Sequence, residues 1–84
     1  MGCWYDIELR FAGPPVEDMH AFEKKITRSG IWINARQEGD GVMVLHGSVP
    51  ARDLEQVLAE HLPPPVVAMT DLGYTPIEEK ISPV

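Results

Sequence analysis

Between Cys3 and Phe11 the chain alternates with a period of two: Tyr5, Ile7, Leu9 and Phe11 fall on one face, Trp4, Asp6, Glu8 and Arg10 on the other. Successive side chains of a strand point to opposite faces, so this run predicts a strand with one apolar and one wet face. Such a strand needs paired neighbours and a second layer over its apolar side. Gly13-Pro14-Pro15 ends it, and proline suits the first turn of a following helix. From there Val16, Met19, Phe22 and Ile26 recur at helical spacing. Glu17 and Asp18 sit in the first turn and Lys24, Lys25 and Arg28 in the last, as the helix dipole favours, with Gly30 as the stop.

Alternation resumes from Ile31 to Gln37, where Ile31, Ile33 and Ala35 oppose Trp32, Asn34 and Arg36. Glu38-Gly39-Asp40-Gly41 reads as a hairpin turn, and Val42–Val49 as the returning strand. A three-residue loop points Met43, Leu45 and Val49 inward; a two- or four-residue loop points Val42, Val44 and His46 inward instead. Apolar residues on both faces place this strand in the middle of a sheet. Pro50 starts a second helix in which Leu54, Val57, Leu58 and Leu62 share one face, stopped by Pro63-Pro64-Pro65. Val66–Leu72 reads as a last strand. The order strand, helix, strand, strand, helix, strand predicts an α+β fold, ferredoxin-like βαββαβ: a four-stranded antiparallel sheet with two helices on one face. Residues 1–73 form the single domain and residues 74–84 a C-terminal tail.

Size agrees with that plan. A chain of 84 residues and 9.4 kDa hides roughly 63% of its surface on folding, enough for one sheet and one helical layer but not for a deep enzyme cleft. The single Cys3 excludes a disulfide framework or a multi-thiolate zinc site. No apolar run approaches the ~18 residues of a membrane span, and the N-terminus lacks a basic, apolar leader, so a cytoplasmic protein is expected.

Chemistry is sparse. His20, His46 and His61 lie on three different elements without metal-ligand spacing, which leaves structural roles, and no metal or cofactor is expected. Cys3 has the parity of the buried face of the first strand and no neighbouring base. Acylphosphatases share the topology but cradle phosphate with backbone N–H groups and an arginine in the first strand–helix loop. Here Phe11-Ala12-Gly13-Pro14-Pro15-Val16 offers two prolines and no arginine. RNA-recognition domains need strand aromatics in basic surroundings, whereas Trp4 has Asp6 and Glu8 beside it. A non-enzymatic protein is expected.

Charge and tryptophan carry the functional reading. Thirteen acids against seven bases give −6, and residues 30–84 alone carry eight acids and three bases. This sign repels nucleic-acid phosphates and anionic membranes and steers the chain toward a basic protein. The candidate partner-binding acids are Glu38 and Asp40 on the hairpin and Asp53, Glu55 and Glu60 along the second helix. Trp4 and Trp32, both of outward parity, are the candidate apolar anchors. The alternative for the tryptophans is that the tail covers one of them through Tyr74 and Ile77.

The opening Cys3-Trp4-Tyr5-Asp6-Ile7-Glu8-Leu9-Arg10-Phe11-Ala12-Gly13-Pro14, followed by a helix with Ala21-Phe22, resembles a group of small ferredoxin-like proteins encoded by phages and plasmids. These begin with a Trp-Cys pair, an alternating strand and a Gly-Pro turn. Here Cys and Trp are reversed, and Asp6 stands where an Asn-like residue is usual, so no functional residue carries over. The resemblance implies a mobile-element setting in which small acidic proteins block a host nucleic-acid-binding machine, as phage anti-CRISPR inhibitors do. A second class stays open: a small regulatory or ligand-sensing domain acting as a homodimer, with Gly13 and the fold as its support. The oligomeric state is a monomer or a homodimer.

Overall fold

The computed structural model describes residues 3–27, 34–39 and 41–84. Its elements are β1 (Cys3–Ala12), α1 (Met19–Thr27), β2 (Asn34–Glu38), β3 (Val42–Ala51), α2 (Leu54–Gln56), a π-helical turn (Val57–His61), α3 (Pro63–Asp71) and β4 (Thr75–Pro83). The fold is α+β. Its four strands are all antiparallel in the order β2-β3-β1-β4. Ile7, Leu9 and Phe11 of β1 and Met43, Leu45, Val49 and Ala51 of β3 present one continuous apolar surface. Phe22 and Ile26 of α1, Val57, Leu62, Met69 and Tyr74 cover it.

The β2–β3 register sets Glu38 opposite Val42, a three-residue connection that turns Met43, Leu45 and Val49 inward. Gly39 at φ 59° and Gly41 at φ 91° supply the left-handed backbone this loop needs. Helix α1 begins later than Val16. Asp18 caps it, its Oδ1 accepting from the Ala21 N–H at 3.1 Å. The expected start of the second strand at Ile31, the tip residue Asp40 and the Gly30 stop lie outside the described residues.

Four expectations are corrected. Val66–Leu72 is helix, not strand. Pro63-Pro64-Pro65 does not stop a helix but opens α3, because residues of a first turn have no intrahelical acceptor for the N–H that proline lacks. That helix ends in a Schellman arrangement: Gly73 at φ 92° donates to Thr70, Tyr74 donates to Met69, and Met69 and Tyr74 both enter the core. Residues 75–83, expected within a tail, form β4 beside β1. Pro50, expected to start a helix, stays in β3, and Asp53 caps α2 through the Gln56 N–H at 2.9 Å.

The segment after Asp53 departs most from its sequence pattern. Leu62 donates to the Val57 carbonyl, a five-residue step that widens the helix into a π turn. Val57 and Leu62 therefore share the buried face. Leu54 and Leu58, expected beside them, turn outward and are 47% and 46% exposed.

Candidate functional site

Among the described residues the sheet has helices on one face only, and its other face is a ladder of charges. Arg36, Val44, Arg10 and Glu78 follow one another across the four strands, and Asn34, His46, Glu8 and Lys80 form the adjacent row. Val44 is fully buried although it points away from the apolar core, because Arg10 and Arg36 stand directly opposite it on both sides. The guanidinium of Arg10 bonds both carboxylate oxygens of Glu38 and lies 3.7 Å from Glu8 and 3.9 Å from Glu78. Arg36 reaches Glu8 at 3.3 Å and Glu38 at 3.2 Å. Lys80 lies 3.5 Å from Glu78. The hydrogen bond from Arg10, and then that from Arg36, hold the Glu38 carboxyl below its usual 4.5.

The central part of this face is a shallow concavity of about 400 Å³ lined chiefly by Asp6, Glu8, Arg36, His46, Ser48 and Lys80. Ser48 donates to Asp6 at 2.6 Å. Among the described residues no imidazole bonds that hydroxyl, and no three metal-ligating side chains converge. The concavity is a mixed-charge surface whose described acids and bases largely compensate each other.

The helical side is different. Between residues 52 and 71 stand four acids and one base, Asp53, Glu55, Glu60 and Asp71 against Arg52. Asp53 serves as the cap of α2, Glu60 accepts from the Gln56 amide at 2.9 Å, and Arg52 donates to Gln56 rather than to a carboxylate. Among the described residues no ion pair neutralises Asp53, Glu55 or Glu60. Leu54 and Leu58 are exposed among them, one turn apart.

The five sequence candidates among the described residues thus do not converge. Glu38 lies on the open sheet face in a bidentate ion pair, at the opposite end of β3 from Trp4. Trp4 pairs with Pro50 and Glu38 with Val42, eight residues or about 27 Å along the strand. Asp53, Glu55 and Glu60 lie on one continuous segment of the helical layer, at the cap of α2, in α2 and in the π turn. Trp32 and Asp40 lie outside the described residues. Trp4 is 55% exposed, and the C-terminal segment does not cover it: Tyr74 is in the core and Ile77 is on β4. Cys3, expected on the buried side, is exposed at the start of β1, opposite Ala51. His20 is exposed, and His46 and His61 are half-buried.

Sequence reasoning misses Leu54 and Leu58 as surface residues. Their α-helical spacing with Val57 and Leu62 reads as one core stripe, and no residue type in Val57-Leu58-Ala59-Glu60-His61 announces a π turn. Comparison with protein-family models, with curated proteins and with solved structures gives no significant match.

Proposed function

We propose that this chain is a non-enzymatic protein-binding inhibitor or regulator. Its α2–π face docks on the basic surface of a nucleic-acid-binding protein. The observation that carries the reading is the pair Leu54 and Leu58, nearly half exposed on a segment whose acids have no cationic partner among the described residues. Exposed apolar groups rimmed by one sign of charge are the composition of an interface: the leucines supply desolvated anchors and Asp53, Glu55 and Glu60 orient the encounter. The π turn favours the same segment, since such widened turns recur at functional sites. The acids repel phosphate, so the partner is a protein and not the nucleic acid itself. The ion-paired Glu38 has little free charge to offer such a partner.

The ferredoxin-like reading of the fold belongs with this proposal. It is supported by the order β2-β3-β1-β4, with β1 and β3 central and every pair antiparallel. The second crossover departs from a single helix in being three consecutive segments. The resemblance of residues 3–14 to phage- and plasmid-encoded proteins supports a mobile-element setting and an inhibitor of the anti-CRISPR kind. The free, exposed Cys3 thiol fits a reducing, cytoplasmic compartment.

Site-specific photo-crosslinking tests the docking face. A photoreactive side chain at position 58 is expected to capture a basic protein in a lysate of the cell that carries the gene. Capture should be lost at ~0.3 M salt and in the Glu55→Lys/Glu60→Lys variant. Equal capture from position 48, on the open sheet face, would overturn the assignment.

A further inference from the structure

The two edges of the sheet are finished differently. At the β2 edge the Glu23 carboxylate accepts from the Ala35 N–H at 3.1 Å, so a side chain of α1 already occupies the outward backbone of this five-residue strand. At the β4 edge the Val84 N–H donates to the Trp4 carbonyl at 2.9 Å. Polar groups of an antiparallel strand alternate in direction, so those of Lys80 and Ser82 also face β1, and those of Glu79, Ile81 and Pro83 face outward. Pro83 sits where its missing donor removes no ladder bond. Glu79 and Ile81 direct N–H and C=O groups outward, and among the described residues no strand or side chain bonds them.

The side chains flanking Glu79 are self-complementary. Glu78 and Lys80 share the open face, 3.5 Å apart along their own strand. A two-fold axis normal to the sheet through Glu79 would set Glu78 opposite the partner's Lys80 and Lys80 opposite the partner's Glu78. Ile81 would then lie opposite the partner's Ile77, the residue at which β4 bulges against β1. A register centred on a residue keeps the two faces of the sheet continuous, so the helices of both copies lie on one side. Centring on Glu78, Lys80 or Ile81 forms neither ion pair.

We infer that the β4 edge is a self-association site, in which two copies pair antiparallel about Glu79 through reciprocal Glu78–Lys80 contacts. The site is separate from the docking face on the helical layer and does not depend on it. A five-residue edge buries less than a standard interface, and the facing Glu79 side chains repel, so the dimer forms at high protein concentration.

Sedimentation equilibrium from about 10 µM to about 1 mM provides the test. The wild-type chain is expected to dimerise, and Glu78→Lys and Lys80→Glu alone each to weaken the dimer about tenfold. An equimolar mixture of these two variants is expected to regain wild-type association, since both lysines of one chain then face both glutamates of the other. Glu79→Thr, which removes the central repulsion, is expected to tighten the wild-type dimer. A monomer throughout the range would overturn the inference. So would a dimer indifferent to these charges, or a mixture of the single variants that stays monomeric.

Discussion

Replacing Gly13 with alanine should be among the most damaging small changes possible in this protein. A Cβ at Gly13 would clash with Cδ2 of Tyr74 and lie 2.8 Å from Cε2 and Cγ, against the rigid ring rather than a flexible chain end. Tyr74 cannot yield easily. It is buried, stacks edge-on with Phe22 at 5.8 Å between centroids, and donates its hydroxyl to the Pro14 carbonyl. Displacing the ring gives up an aromatic pair of about 1 kcal/mol and a hydrogen bond of about 1 kcal/mol. Overpacking strain adds about 1–3 kcal/mol, so the expected loss is about 3–5 kcal/mol. That is a large fraction of the stability an 84-residue domain has, about 4–13 kcal/mol. Urea unfolding followed by circular dichroism should show the midpoint falling by more than ~1 M with the slope unchanged. In a Tyr74→Leu background the same substitution should cost less than about 1 kcal/mol, leaving a coupling of about 2 kcal/mol or more. A Gly13→Ala loss below about 0.5 kcal/mol, or strict additivity with Tyr74→Leu, would refute this account of the β1–α1 corner.

Other perturbations follow from the same structure. Asp53→Ala removes the cap of α2 and should cost about 1 kcal/mol in the same urea assay. On the acid side, the folded-state Glu38 carboxyl lies below its ordinary 4.5. Its contribution is therefore fully present above that value and lost as pH falls further. Arg10→Met should flatten the fall of the urea midpoint as pH drops below about 4.5, relative to wild type. On the alkaline side, burial raises Tyr74 above its ordinary 10.0. Its contribution is present below about pH 10 and lost as pH rises through the folded value, so Tyr74→Phe should blunt the alkaline limb of a pH–stability curve.

Local patterns that involve one element alone were legible in the sequence. The alternation Tyr5-Ile7-Leu9-Phe11 gave β1 its inner face, and Gly39 and Gly41 marked the β2–β3 turn. The inward set Met43, Leu45 and Val49 followed once the turn length was known. What escaped depended on context. Pro63-Pro64-Pro65 has the same composition whether it stops one helix or opens the next, and only the preceding π turn decides between them. Val66-Val67-Ala68-Met69 is too short an apolar run to separate strand from helix, and the Met69–Tyr74 closure that favours helix spans five residues. β4 was hidden by its prolines and charges, which are the residues an edge strand tolerates and an inner strand does not. The acids of the second half were readable as a count. Their division was not: Glu38 goes to a pair of arginines, while Asp53, Glu55 and Glu60 go to a face that also exposes Leu54 and Leu58.

Stopped-flow association with the captured partner tests the docking face most directly. Raising salt from ~0.05 to ~0.3 M shortens the screening length to well under ~10 Å and should slow association of the wild-type chain. Glu55→Lys/Glu60→Lys should lower the on-rate with little change in off-rate, because charge steers encounter. Leu54→Ser/Leu58→Ser should raise the off-rate by about tenfold or more with the on-rate nearly unchanged, because desolvated leucines hold the complex. Rates indifferent to salt and to both pairs of substitutions would contradict the account and leave the −6 charge with no role beyond solubility.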